Sequence, residues 1–117
     1  MKNFEKMPFP DRRALDHTKY GFFGFLQVPG LSTSVIISRG CPFNCRFCGR
    51  IVRGSVRRRS VESIIKELSV LQRQGFENIF IADDYFITNR KWVTDFCEAV
   101  KKHKLSFNFF FQTRIDN

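Results

Sequence analysis

No apolar run in the chain approaches the roughly 18 residues that would suggest a membrane span. The opening stretch, "MKNFEKMPFPDRRALD", lacks the apolar core and small-residue cleavage site of a secretory leader. A cytoplasmic location is therefore expected, where thiols stay reduced and clustered cysteines bind metal more often than they pair. There is no internal repeat and no low-complexity tract. Histidine occurs twice, at His17 and His103, and neither carries a motif around it, so both read as structural. Acidic residues are scarce, 11 against 20 lysines and arginines, which leaves a net charge of +9.

The 117 residues suffice for one small domain. Hydrophobic residues make up 43%, enough for a packed core and too many for a disordered tail. Fifteen are phenylalanine, a heavy aromatic load for this length. The positive charge is concentrated in Arg46, Arg50, Arg53, Arg57, Arg58 and Arg59. Such a run is either a solvated basic loop or an electropositive rim around an anionic cofactor or substrate.

Residues 1–33 form an expected lead-in or linker, irregular, punctuated by Pro8, Pro10, Pro29, Gly21, Gly24 and Gly30, with room for one short helix near "DRRAL". Residues 34–117 are more regular. "SVIIS", Ser34 to Ser38, is a short β-branched run that reads as a buried strand and leads through Arg39 and Gly40 to the first cysteine. A helix follows from about Val61 to Gln74, with Ser60 as N-cap and Glu62 in its first turn. Val61, Ile64, Ile65, Leu68 and Leu71 share its apolar face, Val70 is the poor fit, and Gly75 stops it. "NIFIADD", Asn78 to Asp84, is the second strand and ends in two carboxylates. A second helix spans about Arg90 to Lys102, capped by Asn89 or Thr88, with Trp92, Val93, Phe96 and Val100 as its stripe. Cys97 lies at the edge of that stripe and reads as core.

"SFNFFFQTR", Ser106 to Arg114, is the third strand, with Phe107, Phe109 and Phe111 on one side and Phe110 on the other. A strand apolar on both faces belongs inside a parallel sheet covered by helices. The order βαβαβ therefore gives an α/β fold with a parallel sheet. Three strands and two helices bury little, and the phenylalanine-rich strand is left as an open edge, so the chain reads as a piece of something larger.

Chemistry concentrates in "SRGCPFNCRFCGR", with Cys41, Cys45 and Cys48 within eight residues. A disulfide takes two cysteines and a closed zinc site takes four ligands. Thiolates are soft ligands suited to iron–sulfur clusters, zinc or copper. A four-iron cubane held by three cysteines leaves one iron free for a substrate or cofactor. The alternative is a zinc knuckle completed by Cys97, His17 or His103, although structural zinc sites usually pair their ligands in two short clusters.

CxxxCxxC after a first strand, with Phe47 just before the last cysteine, resembles the radical S-adenosylmethionine superfamily. "SRGCPFNCRFC", "RGSVRRRS" and "FIADDYFITN" together are most similar to its cobalamin-binding class. The resemblance implies the N-terminal half of a partial (β/α)6 TIM-like barrel. It implies that Cys41, Cys45 and Cys48 carry a 4Fe-4S cluster whose unique iron chelates S-adenosylmethionine. Reductive cleavage would then give methionine and a 5′-deoxyadenosyl radical, with flavodoxin or ferredoxin as reductant. Phe47 would lie beside the adenine. Asp83 and Asp84 stand where many members carry a Gly-Gly-Glu motif, and one of them would accept a hydrogen bond from the cofactor's ammonium group. Arg114 would face its carboxylate. Arg39 matches the "RGC" lead-in, and Arg53, Gly54 and Arg59 match the pattern between cluster and helix.

A cobalamin domain would precede this region in the class, and later strands would complete the pocket. The chain is thus expected to be an incomplete piece, inactive alone, of a radical enzyme for cobalamin-dependent methyl transfer or cyclisation. Two alternatives compete. One is a relative of the transfer-RNA methylthiolases, whose cluster motif and "RG…R" stretch are similar and whose substrate the arginines would suit. The other is a zinc-dependent or purely basic nucleic-acid-binding module.

Overall fold

The computed structural model describes residues 4–19, 22–23, 26–49 and 54–116. Arg50, Arg53, Gly21 and Gly24 lie outside the described residues. Two short strands, β1 (Phe22–Phe23) and β2 (Leu26–Gln27), pair antiparallel in the lead-in. Next come β3 (Leu31–Val35), β4 (Ser38–Arg39) and β5 (Arg57–Arg58), then helix α1 (Val61–Arg73). Strand β6 (Phe76–Ile81), helix α2 (Arg90–Lys102) and strand β7 (Asn108–Phe111) complete the chain.

The central sheet has the order β3-β6-β7, with both pairs parallel. Consecutive parallel strands side by side, joined through α1 and α2, form the βαβαβ arrangement expected of the first part of a TIM-like barrel. The core lies between sheet and helices: Val35, Ile37, Ile79 and Ile81 meet Ile64, Leu68 and Leu71 of α1 and Phe96 of α2. On α2, Trp92 stacks on Phe96 with ring centres 5.6 Å apart, and Phe109 meets Phe96 edge-on.

Both helices start where their caps dictate. The Ser60 hydroxyl accepts from the Ser63 N–H at 3.2 Å, and the Asn89 side chain accepts from the Trp92 N–H at 2.9 Å. After α1, Gly75 adopts a φ of +82°, a left-handed turn that suits glycine. Asn78 was not singled out in the sequence. It is fully buried and bridges two neighbours, donating to the Pro29 carbonyl at 2.8 Å and accepting from the Asn108 side chain at 2.9 Å.

Several sequence expectations need correction. The first strand is Leu31–Val35 rather than Ser34 to Ser38. The chain leaves the main sheet there, and Ser38–Arg39 pairs antiparallel with Arg57–Arg58 instead. The β-branched run hid this break, because Ile37 is buried whether or not it belongs to the ladder. The second strand is Phe76–Ile81 rather than Asn78 to Asp84, and the third is Asn108–Phe111 rather than Ser106 to Arg114. Cys97 is exposed, not core. Phe111, expected on the same side as Phe107 and Phe109, is 42% exposed, because β7 stands at the sheet edge.

The lead-in is not a loose tether. It makes three short 3-10 turns, and Arg12 is buried against the free edge of β3. Its guanidinium donates to the Ser34 carbonyl at 2.7 Å and to the Thr33 hydroxyl at 2.9 Å. His17 packs edge-on against Phe76, with ring centres 4.9 Å apart. The Glu5 carboxylate accepts from the Ser60 N–H at 2.8 Å and from its hydroxyl, tying the first turn to the start of α1.

Candidate metal centre

The cysteine loop follows β4, a few residues after the chain exits β3, and the ends of the other two parallel strands reach towards it. Just beyond β6, Asp83 is 3% exposed. Its Oδ1 accepts from the Ile37 N–H at 2.8 Å and the Ser38 N–H at 2.9 Å, and its Oδ2 accepts from the Ser38 hydroxyl at 2.6 Å. Burial pushes the Asp83 carboxyl above its ordinary range, against the opposing pull of these donors and of nearby Arg58.

Asp84 grips the loop one step further on. Its Oδ2 accepts from the Gly40 N–H at 3.0 Å, and its Oδ1 lies 3.7 Å from the Arg39 guanidinium. Gly40 has a φ of +110°, and a Cβ added there would stand 2.7 Å from the Ser55 backbone oxygen. The close approach of the two flanks of the loop therefore requires glycine. Gly40→Ala should destabilise the chain by about 2–3 kcal/mol, read as a lowered midpoint in urea. An unchanged midpoint would show that Ser55 and its neighbours yield without cost.

The loop is also held from its far side. Tyr85, 3% exposed, packs edge-on against Phe43 with ring centres 4.8 Å apart. Beyond the end of β7, Arg114 lies over the Phe43 ring, 4.3 Å from its centre. Its Nη1 donates to Cys45 Sγ at 3.4 Å, while its Nε donates to Asp116 at 2.7 Å. The hydrogen-bonded Asp116 carboxylate holds Arg114 above its ordinary range. Sequence reasoning missed Phe43 and Tyr85. Both sit inside quoted motifs, but nothing in their spacing announces that they meet.

The expected site residues thus divide. Asp83, Asp84 and Arg114 all converge on the cysteine loop, each from the C-terminal end of a parallel strand, where such folds place their sites. Phe47 is 94% exposed beside Cys48. Arg59 turns away from the loop; it is buried and pairs with Glu67 of α1. Arg58 lies 4.4 Å over the Trp92 ring, and desolvation lowers its pKa.

None of the four cysteines is in a disulfide; Cys41 and Cys45 are half-buried and Cys48 is exposed. The Gly54 N–H donates to the Cys41 carbonyl and the Cys48 N–H to the Cys45 carbonyl, each at 3.2 Å, so the loop is turned by its own backbone. Among the described residues, no three Cys, His, Asp or Glu side chains gather as the ligands of a single ion. The ligands of a cubane go to separate irons and need not meet at one point. Three free thiols on one short loop, with a guanidinium at one of them, are a donor set suited to an iron–sulfur cluster.

The Radical SAM superfamily profile matches residues 35–114. An uncharacterized methyltransferase of Pyrococcus horikoshii is 32% identical over 99% of this chain and 25% of its own length. The anaerobic magnesium-protoporphyrin IX monomethyl ester cyclase of Synechocystis is 30% identical over 88% of the chain and 20% of its own length. The hopanoid C-3 methylase of Methylococcus capsulatus is 29% identical over 92% of the chain and 20% of its own length. The chain therefore spans a fifth to a quarter of the length of these relatives. With its cysteine loop seated at the C-terminal ends of parallel strands, the chain belongs to the radical S-adenosylmethionine superfamily and is most like the cobalamin-binding class.

Proposed function

We propose that residues 34–117 are the cluster-bearing first part of a radical S-adenosylmethionine core domain, with residues 1–33 as its lead-in. Cys41, Cys45 and Cys48 would hold a 4Fe-4S cluster. When bound, the cluster supplies the electron that cleaves S-adenosylmethionine to methionine and a 5′-deoxyadenosyl radical, with flavodoxin or ferredoxin as the source. The observation that carries this reading is the convergence of two strand ends on the cysteine loop: Asp84 on Gly40 and Arg114 on Cys45.

The chain's own residues divide the remaining work. Asp83 has both oxygens engaged and positions Ile37 and Ser38, so its part is to hold the loop's entry. Asp84 is partly exposed, at 18%, and is the carboxylate able to accept from an incoming ammonium group. Arg114 offers a guanidinium beside Cys45 to the carboxylate of the same ligand. Phe47 offers an open aromatic face and backbone next to Cys48 for the adenine. Completion of the pocket would fall to the remainder of the barrel.

For the reaction as a whole, we favour cobalamin-dependent methyl transfer or cyclisation, with cobalamin held by an upstream domain. The motif likeness and the methylase and cyclase names among the relatives support this. Among the described residues no helix is long and apolar enough to cross a membrane.

The test is anaerobic reconstitution with iron and sulfide, followed by reduction and addition of S-adenosylmethionine. A brown protein whose reduced spectrum shifts on that addition supports the proposal. A colourless, zinc-loaded protein contradicts it.

A further inference from the structure

Where the lead-in crosses the edge of β3, the described residues enclose a cavity of about 360 Å3. That lies within the range of small-molecule sites. Its apolar lining includes Met7 and Phe9 of the lead-in, 44% and 39% exposed, and the half-buried Ile36. The rest of the lining includes Arg12, Arg39, Arg57 and Arg59, with Glu67 as the carboxylate among the lining residues.

Glu67 is shared. It lies 3.0 Å from Arg12 and 2.5 Å from Arg59, and all three side chains are at most 9% exposed. Two buried guanidiniums on one carboxylate leave a net positive charge, with Arg12 also donating to Thr33 and the Ser34 carbonyl, and Arg59 to Ser63 and the Ile36 carbonyl while lying 5.2 Å over the Phe9 ring. Arg39 adds charge at the solvent side of the cavity: it is 44% exposed, and its partner Asp84 stands 3.7 Å away and also holds Gly40. A neutral apolar guest would leave this charge uncompensated. A bare inorganic anion would leave the wall of Met7 and Phe9 wet.

We propose that this cavity binds a small anionic amphiphile, its carboxylate or phosphate head on the arginines and its short apolar body against Met7, Phe9 and Ile36. Guanidinium forks match either head group. The lead-in supplies the apolar wall, so the segment would close the site as well as cover the sheet edge. Apart from Arg39, the cavity uses no residue of the cysteine loop, and it needs no iron.

Calorimetric titration of the full chain tests it, with decanoate and hexyl phosphate as the amphiphiles and decanol and inorganic phosphate as controls. One of the two amphiphiles should bind one-to-one, at least tenfold more tightly than either control, and the tighter one identifies the head group. Arg57→Glu should weaken that binding tenfold or more by charge, and Phe9→Asp should do so by spoiling the apolar wall. Both positions are exposed, and an unchanged far-ultraviolet circular dichroism spectrum establishes that each variant is folded. Absence of binding by either amphiphile overturns the proposal. So does equal binding of decanol or of inorganic phosphate, or binding that survives both substitutions.

Discussion

Alanine at Cys41, Cys45 or Cys48 should reduce the iron retained after anaerobic reconstitution to background, and each single substitution should suffice. The physical reason is the lack of a spare ligand. The trio lies within eight residues, and Cys97 is on the exposed side of α2. His17 is committed to packing on Phe76 and to the Arg12 carbonyl, and His103 closes the end of α2. A cluster already missing one protein ligand of four has little hold once a second is removed. Iron and sulfide analysis, with the EPR signal of the reduced protein, provides the readout. Retention of iron by any one alanine variant would mean that another residue of the chain takes part.

Asp83→Ala should be the most damaging change in the site that removes no cysteine. It would strand the Ile37 and Ser38 N–H groups and the Ser38 hydroxyl, in a place where Ile37 and Ser38 are fully buried. Unsatisfied buried donors cost about 1–3 kcal/mol each, not strictly additively, so a total of about 3–5 kcal/mol is expected. Asp83→Asn should cost less than half as much. An amide oxygen can still accept from the two N–H groups, and its NH2 can donate to the Ser38 hydroxyl. Burial already pushes the native carboxyl towards its neutral form, which the amide resembles. Urea midpoints of the two variants separate these outcomes. Equal losses would show that the negative charge itself, not the hydrogen-bond geometry, holds the loop.

Much of this was legible in the sequence because local chemistry marked it. Ser60 and Asn89 announce their helices, and the periodic stripes place Ile64, Leu68 and Phe96 in the core. The cysteine spacing marks the site outright. What stayed hidden depends on pairing across the chain. Nothing in "SVIIS" reveals that Ile36 leaves the ladder, because the bend is fixed by Asp83, 45 residues beyond Ser38. The two carboxylates of "ADD" look alike, yet one is buried with its oxygens engaged and the other is partly open. Arg12 in an apparently irregular lead-in gave no sign that it would share Glu67 with Arg59, since Arg12 lies far along the chain from both. Cys97 was misread because helical periodicity places it only at the edge of the stripe, and that edge is exposed.

The central claim is a cubane held by three cysteines with one iron lacking a protein ligand. Controlled mild oxidation of the reconstituted chain, followed by EPR, tests it most directly. The three-cysteine arrangement predicts loss of a single labile iron, the appearance of a 3Fe-4S signal, and recovery of the original cluster when ferrous iron and reductant are returned. A cluster that keeps all its irons under the same oxidation, or a reconstituted protein holding only a two-iron cluster, would contradict it.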